Sequence, residues 1–142
     1  MNPTTLVQSE LALDIPGQPG AATTLLVVDD EAAVRELEVL ALAGLGYKVL
    51  SAAGPVEALL QAAVTPTIDL LLTDYSMPQA DGLELTHWFR AVHPKTPVLM
   101  VSGSLEALNG RIAGLERFEV LAKPFKVQEL VQKVRASLNG AP

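Results

Sequence analysis

Residues 25–30 read LLVVDD, an unbroken apolar run followed by two aspartates. The run does not alternate polar and apolar residues, and neither does VLMV at residues 98–101. Strands with this pattern are buried on both faces, as in a parallel sheet that helices cover on both sides. The stretch therefore predicts a buried strand whose carboxyl end carries two acidic side chains.

Apolar runs of this kind alternate with helix-period segments along the chain. The other predicted strands are at residues 48–52, 68–73 and 120–122. Five βα units joined by right-handed crossovers predict an α/β fold, a doubly wound, five-stranded parallel sheet. We expect helices on both faces and the flavodoxin-like strand order 2-1-3-4-5, with a ligand crevice at the carboxyl ends of strands 1 and 3.

The predicted helices carry apolar stripes that we expect to face the sheet. In the second helix, Val56, Leu59, Leu60 and Ala63 have the spacing i, i+3, i+4, i+7. Residues 105–116 contain two glycines, which lower helix propensity, so this segment predicts a short or mobile fourth helix. In the first helix, the corresponding stripe consists of Val34, Leu37, Ala41 and Leu45.

The composition is that of one globular domain. The chain has 142 residues, of which 49% are hydrophobic and 18% charged, and it has no cysteine. General disorder, a disulfide scaffold and a thiolate metal site are thereby excluded. The net charge of −6 argues against direct nucleic-acid binding. No basic residue precedes Arg35 and no apolar run approaches the ~20 residues of a membrane span, so we expect a cytoplasmic protein without membrane insertion.

The first 23 residues differ from the rest. Residues 1–23 are rich in proline and glycine towards their end and are predicted to be a flexible leader or linker, whereas residues 24–142 form the domain. The apolar residues of this segment are compatible with a short helix or with a mobile tail. They are Leu6, Val7, Leu11, Leu13 and Ile15.

Polar residues follow four of the predicted strands. They are Asp29 and Asp30 after strand 1, Asp74 after strand 3, Ser102 after strand 4 and Lys123 after strand 5. The carboxyl ends of parallel strands share one edge of a sheet, so these side chains are predicted to converge there.

The predicted cluster suits phosphoryl chemistry. Three carboxylates repel one another, and Mg²⁺ together with Lys123 would neutralise them. Asp74, on the central strand, is the candidate nucleophile that would form an acyl phosphate, and Ser102 could hydrogen-bond the attached group. Taken singly, each residue has an ordinary explanation: Asp29 could cap a helix, Ser102 could begin a loop, and Lys123 could end a strand.

From the residues alone, two other functions remain possible: a phosphohydrolase and a binding module. An aspartate-dependent phosphohydrolase would need a second acid two residues after its nucleophile, where this chain has Ser76. A binding module would never become phosphorylated.

Four motifs together resemble the receiver domain of two-component response regulators, over about residues 24–138. They are VVDDE at 27–31, LTDYSMP at 72–78 followed by Asp81-Gly82, VSG at 101–103 and LAKPF at 121–125. The resemblance implies that Asp74 accepts a phosphoryl group from a kinase phosphohistidine. It also implies a regulatory phosphoacceptor whose only catalysis is of its own phosphorylation and dephosphorylation.

The resemblance further implies a metal site and a switch. Asp30 would bind Mg²⁺, or alternatively Mn²⁺, directly, and Asp29 mainly through water. The backbone carbonyl of Ser76 would supply another ligand. Lys123 would contact the phosphoryl group, with a cis bond before Pro124. Movement of Ser102 toward that group would remodel the face of helix 4, strand 5 and helix 5.

The implied partners are a sensor histidine kinase or phosphotransfer protein and a downstream protein target, with a weak homodimer also allowed. Only four residues follow Leu138, so the sequence predicts no output domain within it. A stand-alone regulator and the C-terminal receiver module of a hybrid histidine kinase both fit. Val120 stands where the family often has Tyr or Phe, so we expect the output to use movement of a loop or of helix 4.

Overall fold

The structure is a computed structural model that describes residues 23–140. Strands and helices alternate throughout this range. They are β1 (Thr24–Val28), α1 (Ala32–Ala43), β2 (Lys48–Ala52), α2 (Pro55–Val64), β3 (Leu70–Asp74), α3 (Gly82–Val92), β4 (Val98–Ser102), α4 (Leu105–Ile112), β5 (Phe118–Ala122) and α5 (Val127–Leu138).

The five strands form one parallel sheet in the order β2-β1-β3-β4-β5, which confirms the predicted flavodoxin-like fold. In this register Asp74 lies opposite Val101, and Ser102 lies opposite Ala122. β1 lies between β2 and β3. The residues that end β1, β3, β4 and β5 therefore meet at one edge of the sheet.

Two apolar layers cover the sheet. On one face α1 and α5 contribute the buried side chains of Leu42 and Leu130. On the other face α2, α3 and α4 contribute Ala58, Phe89 and Leu108. β1, β3 and β4 are buried along their whole length, as their uninterrupted apolar sequences predict.

The predicted stripe of α2 is wrong except at Leu59, which is partly buried against the core. Val56 and Leu60 are each 66% exposed, whereas Ala58 and Ala62 are buried against the sheet. Since Glu57 is the only charged residue of α2, the sequence offers little polar contrast to define its buried side. The small alanines contact the core together with Leu59.

The predicted stripe of α1 is correct at Ala41 and Leu45, which pack against the core, and wrong at Leu37. Leu37 is 45% exposed, and the buried residues of this helix are Glu38 and Leu42. In α3, Leu85 and Phe89 are buried, whereas Trp88 and Val92 are largely exposed.

The fourth helix is short, as predicted. α4 has eight residues and begins after Ser104, whose hydroxyl accepts a hydrogen bond from the amide of Ala107 at 3.5 Å. The following chain turns at Gly114, where φ is +85°.

Within residues 23–140, no helix has both the length and the apolar character needed to cross a bilayer. The predicted leader, apart from Thr23, lies outside the described residues.

Candidate functional site

Three carboxylates meet at the carboxyl edge of the sheet. Asp74 ends β3, while Asp29 and Asp30 follow the neighbouring strand β1. Each offers an oxygen atom, and these atoms all lie within 4.8 Å of one another. Asp29 and Asp74 are buried and Asp30 is exposed, so the cluster is open to solvent on one side.

Lys123 brings a positive charge to this acidic cluster. Its Nζ lies 3.4 Å from Oδ1 of Asp74 and 3.5 Å from Oδ2 of Asp29. Its backbone amide donates to the carbonyl of Ser102 at 2.9 Å, which fixes the start of the chain after β5. The peptide bond between Lys123 and Pro124 is cis. Glu31, which the sequence reasoning did not assign to the site, also lies within reach, with its Oε1 3.7 Å from Nζ.

Burial and charge act against each other at these groups. Burial raises the pKa of Asp29 and that of Asp74, and the positive charge of Lys123 opposes the rise. Burial alone would lower the pKa of Lys123, but the carboxylates of Asp74 and Asp29 outweigh it and raise that pKa. Lys123 therefore stays positively charged beside two carboxyl groups. A further cation at this site would stabilise their ionised form.

The donors fit a hard divalent cation. Oδ1 of Asp29 accepts a hydrogen bond from the amide of Glu31 at 2.9 Å, whereas its buried Oδ2 has no hydrogen-bond partner among residues 23–140. All three side chains of the cluster offer only oxygen, which is the donor that Mg²⁺ prefers. Asp29 does not cap α1, because the N-cap residue of that helix is Glu31.

Ser102 and Ser76 reach the same edge without joining the acidic cluster directly. The buried hydroxyl of Ser102 donates to the carbonyl of Ser104 at 3.2 Å and accepts from its amide at 3.0 Å. A Cβ added at Gly103 would meet no heavy atom within 4 Å, so the space beside Ser102 is open. Ser76 lies exposed in the loop between β3 and α3, two residues beyond Asp74.

The loop after Asp74 closes tightly onto Gly82. The amide of Gly82 donates to the carbonyl of Tyr75 at 2.7 Å. A Cβ at position 82 would lie 2.7 Å from the carbonyl oxygen of Asp74, so this position requires glycine. Asp81 and Glu84 form a capping box that starts α3 at this point. Asp81 and Gly82 follow the LTDYSMP motif in the sequence, but only the structure shows why position 82 is glycine.

A buried acid that no sequence motif indicated, Glu38, lies beneath the site. Glu38 of α1 is 1% exposed, and its Oε1 has no hydrogen-bond partner among the described residues. Burial, together with the negative charge of Asp29, raises the pKa of Glu38 to about 8. Its position four residues before Leu42 in an otherwise apolar stretch was the available signal.

No sequence motif predicted a contact between α4 and the loop after Asp74. The guanidinium group of Arg111 contacts the hydroxyl of Tyr75, and its Cζ lies 5.7 Å from the centre of the Tyr75 ring. The same guanidinium lies 3.5 Å from Oδ2 of Asp81. The end of α4 is thus connected to both ends of this loop.

Curated relatives match most of this chain but are longer than it. The chain is 35% identical over 125 residues to a probable transcriptional regulatory protein, TcrX, of Mycobacterium tuberculosis, covering 87% of this chain and 51% of the relative. It is 36% identical over 132 residues to the sensor kinase CckA of Brucella abortus, covering 92% of this chain and 14% of that kinase. The chain therefore spans about half, or less, of the length of these two proteins.

Solved structures agree with the fold and with these relatives. A receiver domain from the hybrid histidine kinase CckA superposes with a TM-score of 0.70 at 35% identity, covering 81% of this chain and 98% of that one. The chemotaxis protein CheY4 of Vibrio cholerae gives a TM-score of 0.76 at 27% identity, covering 82% and 98%. The sequence profile of the response regulator receiver domain matches residues 25–135. This match extends over most of the described chain, and the chain belongs to the response regulator receiver domain family.

Proposed function

We propose that this chain is a phosphoacceptor that receives a phosphoryl group on Asp74, in a Mg²⁺-dependent transfer from a phosphohistidine. The observation that carries the proposal is the position of Lys123 Nζ, 3.4 Å from Asp74 and 3.5 Å from Asp29, in a cluster of three converging carboxylates. A nucleophilic carboxylate, a fixed cation and an oxygen-only metal site are the groups that this transfer requires.

In the proposed reaction, a carboxylate oxygen of Asp74 attacks phosphorus. The O–P bond of an acyl phosphate forms while the P–N bond to the donor imidazole breaks, and the bonding electron pair stays with that nitrogen. Lys123 stabilises the negative charge on the transferred oxygens, since its ammonium group already lies beside Asp74. Mg²⁺, held by Asp29, Asp30, Asp74 and the Ser76 carbonyl, would supply further charge neutralisation.

Ser102 has a separate part in this proposal. Its hydroxyl donates to the carbonyl of Ser104 and accepts from the amide of that residue, so donating to the phosphoryl group requires it to give up the hydrogen bond to the carbonyl. Ser104 is the N-cap residue of α4, so the rearrangement acts on the start of that helix. We expect phosphorylation to shift an existing equilibrium between two arrangements of the face formed by α4, β5 and α5.

The role that follows is regulatory. The chain would exchange phosphoryl groups with a sensor histidine kinase or a phosphotransfer protein and pass the signal to a protein target in the cytoplasm, as a monomer or a weak homodimer. Similarity to a receiver domain from the hybrid histidine kinase CckA supports a module of such a kinase, and a stand-alone regulator is the alternative. No step in this role uses direct contact with nucleic acid.

Intact-mass measurement tests the proposal. The full chain is incubated with Mg²⁺ and acetyl phosphate, and we expect the mass of one phosphoryl group to be gained and then lost in base. Asp74→Asn should abolish the gain, whereas Asp14→Asn, an aspartate remote in sequence from the site motifs, should preserve it. Equal modification of Asp74→Asn and the parent would refute the assignment.

A further inference from the structure

The outer side of α2 is an apolar surface. Val56, Leu60 and Val64 recur at intervals of four residues and are 66%, 66% and 79% exposed. They lie on the side opposite the buried Ala58 and Ala62. α2 carries only two polar side chains, Glu57 and Gln61, and both hydrogen-bond to the backbone at or just after β2. Large apolar side chains on a helix are normally covered. The outer side of α2 is therefore expected to have an occupant.

The apolar surface continues onto α3, which packs beside α2. Trp88 and Val92 lie one turn apart on α3 and are 44% and 53% exposed. The two helices are joined near their ends by the ring of His93, whose Nε2 lies 2.9 Å from the carbonyl oxygen of Ala62. We call the resulting surface the apolar face; its members are Val56, Leu60, Val64, Trp88 and Val92. Contiguous exposed apolar surfaces of this kind mark interaction sites.

The chain reaches the sheet near one end of this face. At the start of β1, the amide of Thr24 donates to Oδ2 of Asp69 at 2.8 Å. Asp69 lines a shallow depression of about 410 Å³ together with Pro66, which follows α2, and Val92, which ends α3. The described chain therefore begins close to the carboxyl ends of both helices.

The preceding segment has the composition needed to cover an apolar surface. Residues 6–15 read LVQSELALDI and carry two charges, those of Glu10 and Asp14. Residues 16–22, which separate this segment from Thr23, can span at most about 24 Å when extended. The ten residues of α2 extend over about 15 Å, so the segment can reach the whole face.

We propose that residues 6–15 pack against the apolar face, so that the chain covers its own exposed α2 surface. A tethered segment needs little contact area, because the linker holds it at an effective concentration in the millimolar range. A second copy would need about 800 Å² of surface from each partner, more than five side chains on two short helices provide. The face lies outside the acidic cluster, so the inference does not depend on phosphorylation of Asp74.

Trp88 reports on this packing because it is the only tryptophan in the chain. In the full chain, replacement of the segment's apolar residues by Leu6→Ser, Leu11→Ser and Ile15→Ser should shift Trp88 emission to longer wavelength and raise its acrylamide quenching constant. The matched control changes polar residues within and just before the segment, with Thr4→Ser, Thr5→Ser and Gln8→Ser, and should leave both unchanged. Unchanged quenching in the apolar variant would overturn the proposal.

A second variant tests the other side of the contact. Leu60→Ser removes a largely exposed side chain of the apolar face and should by itself raise the acrylamide quenching constant of Trp88. In a protein that already carries Leu60→Ser, the segment substitutions should raise this constant little further. Full additivity of the two changes would mean that the segment does not contact Leu60, and would overturn the proposal. If dilution of the parent protein removed the protection of Trp88 from acrylamide, the occupant of the apolar face would be a second copy of the chain. That result would also overturn the proposal.

Discussion

Arg111 of α4 contacts the hydroxyl group of Tyr75, the residue that follows Asp74. The same guanidinium pairs with Asp81 at 3.5 Å, at the far end of the loop that Tyr75 begins. α4 is therefore connected by side chains to the loop that carries the proposed phosphoacceptor. Val120 places no aromatic ring in β5, so we expect this contact to link the site to α4.

Removing the guanidinium should loosen α4. We expect Arg111→Gln to raise hydrogen exchange of the α4 amides by about two- to fivefold, since an exposed pair of this kind contributes about 0.5–1 kcal/mol. Exchange mass spectrometry measures this. Glu106→Gln, an exposed change on the same helix, is the control. Unaltered exchange in Arg111→Gln would show that the contact does not hold the helix.

Removing the ammonium group of Lys123 should affect both the reaction and the acidity of its partner. Lys123→Gln leaves burial as the main influence on Asp74, so the pKa of Asp74 should rise further above its usual value. Phosphorylation by acetyl phosphate should slow by a factor on the order of a hundred, as for the loss of a preorganised transition-state donor. Carboxyl titration by NMR and the time course of intact mass measure the two effects.

The control for this experiment is Lys133→Gln, which removes an exposed lysine that pairs only with Glu119 among the contacts described. It should change neither the titration of Asp74 nor the rate. A Lys123→Gln protein that is phosphorylated as fast as the parent would remove Lys123 from the proposed chemistry.

Glu38 should make stability depend on pH. Its pKa is raised to about 8 in the folded chain from an ordinary value of 4.5, so between these values the folded state binds the proton more tightly than the unfolded state. The free energy of unfolding should therefore fall as pH rises from about 4.5 to about 8, by up to about 1.4 kcal/mol per pH unit from this group. Urea unfolding at several pH values measures the slope.

Glu38→Gln should flatten that slope, because an amide at this position has no proton to lose. Glu36→Gln, an exposed change on the same helix, should retain it. Contributions from Asp29 and Asp74 remain in both variants, so the difference between the two slopes isolates Glu38. Identical slopes would mean that Glu38 is already ionised in the folded chain at neutral pH.

Gly82 should tolerate no side chain. In Gly82→Ala the added Cβ would meet the Asp74 carbonyl at 2.7 Å, and backbone at this point cannot move without shifting the acid. We expect a loss of about 1–3 kcal/mol in the free energy of unfolding. Gly110→Ala is the matched control: its Cβ meets nothing within 4 Å, so the helix propensity of alanine should stabilise α4 by about 0.5–1 kcal/mol. Equal stability of the two variants would contradict this account of Gly82.

The sequence predicted the strand order and the convergence of Asp29, Asp74 and Lys123 because parallel topology alone brings strand ends together. The prediction of which helix side faces the sheet failed where side-chain size decided the packing. Ala58 faces the sheet in preference to Leu60, since the periodic pattern of an almost uniformly apolar helix does not distinguish its sides. The sequence could not foresee the contact of Arg111 with Tyr75, because the two residues are far apart in the chain and neither belongs to a periodic pattern.

The hydrogen bonds between Ser102 and Ser104 give α4 a second attachment. Its first turn depends on the Ser102 hydroxyl, and its last turn depends on Tyr75. Both anchors stand directly beside the carboxyl edge where Asp74 lies. A rotation of the Ser102 hydroxyl and release of the Arg111 guanidinium from both Tyr75 and Asp81 would thus detach this helix at its two extremities, so one covalent event at the edge of the sheet would act on a whole surface element.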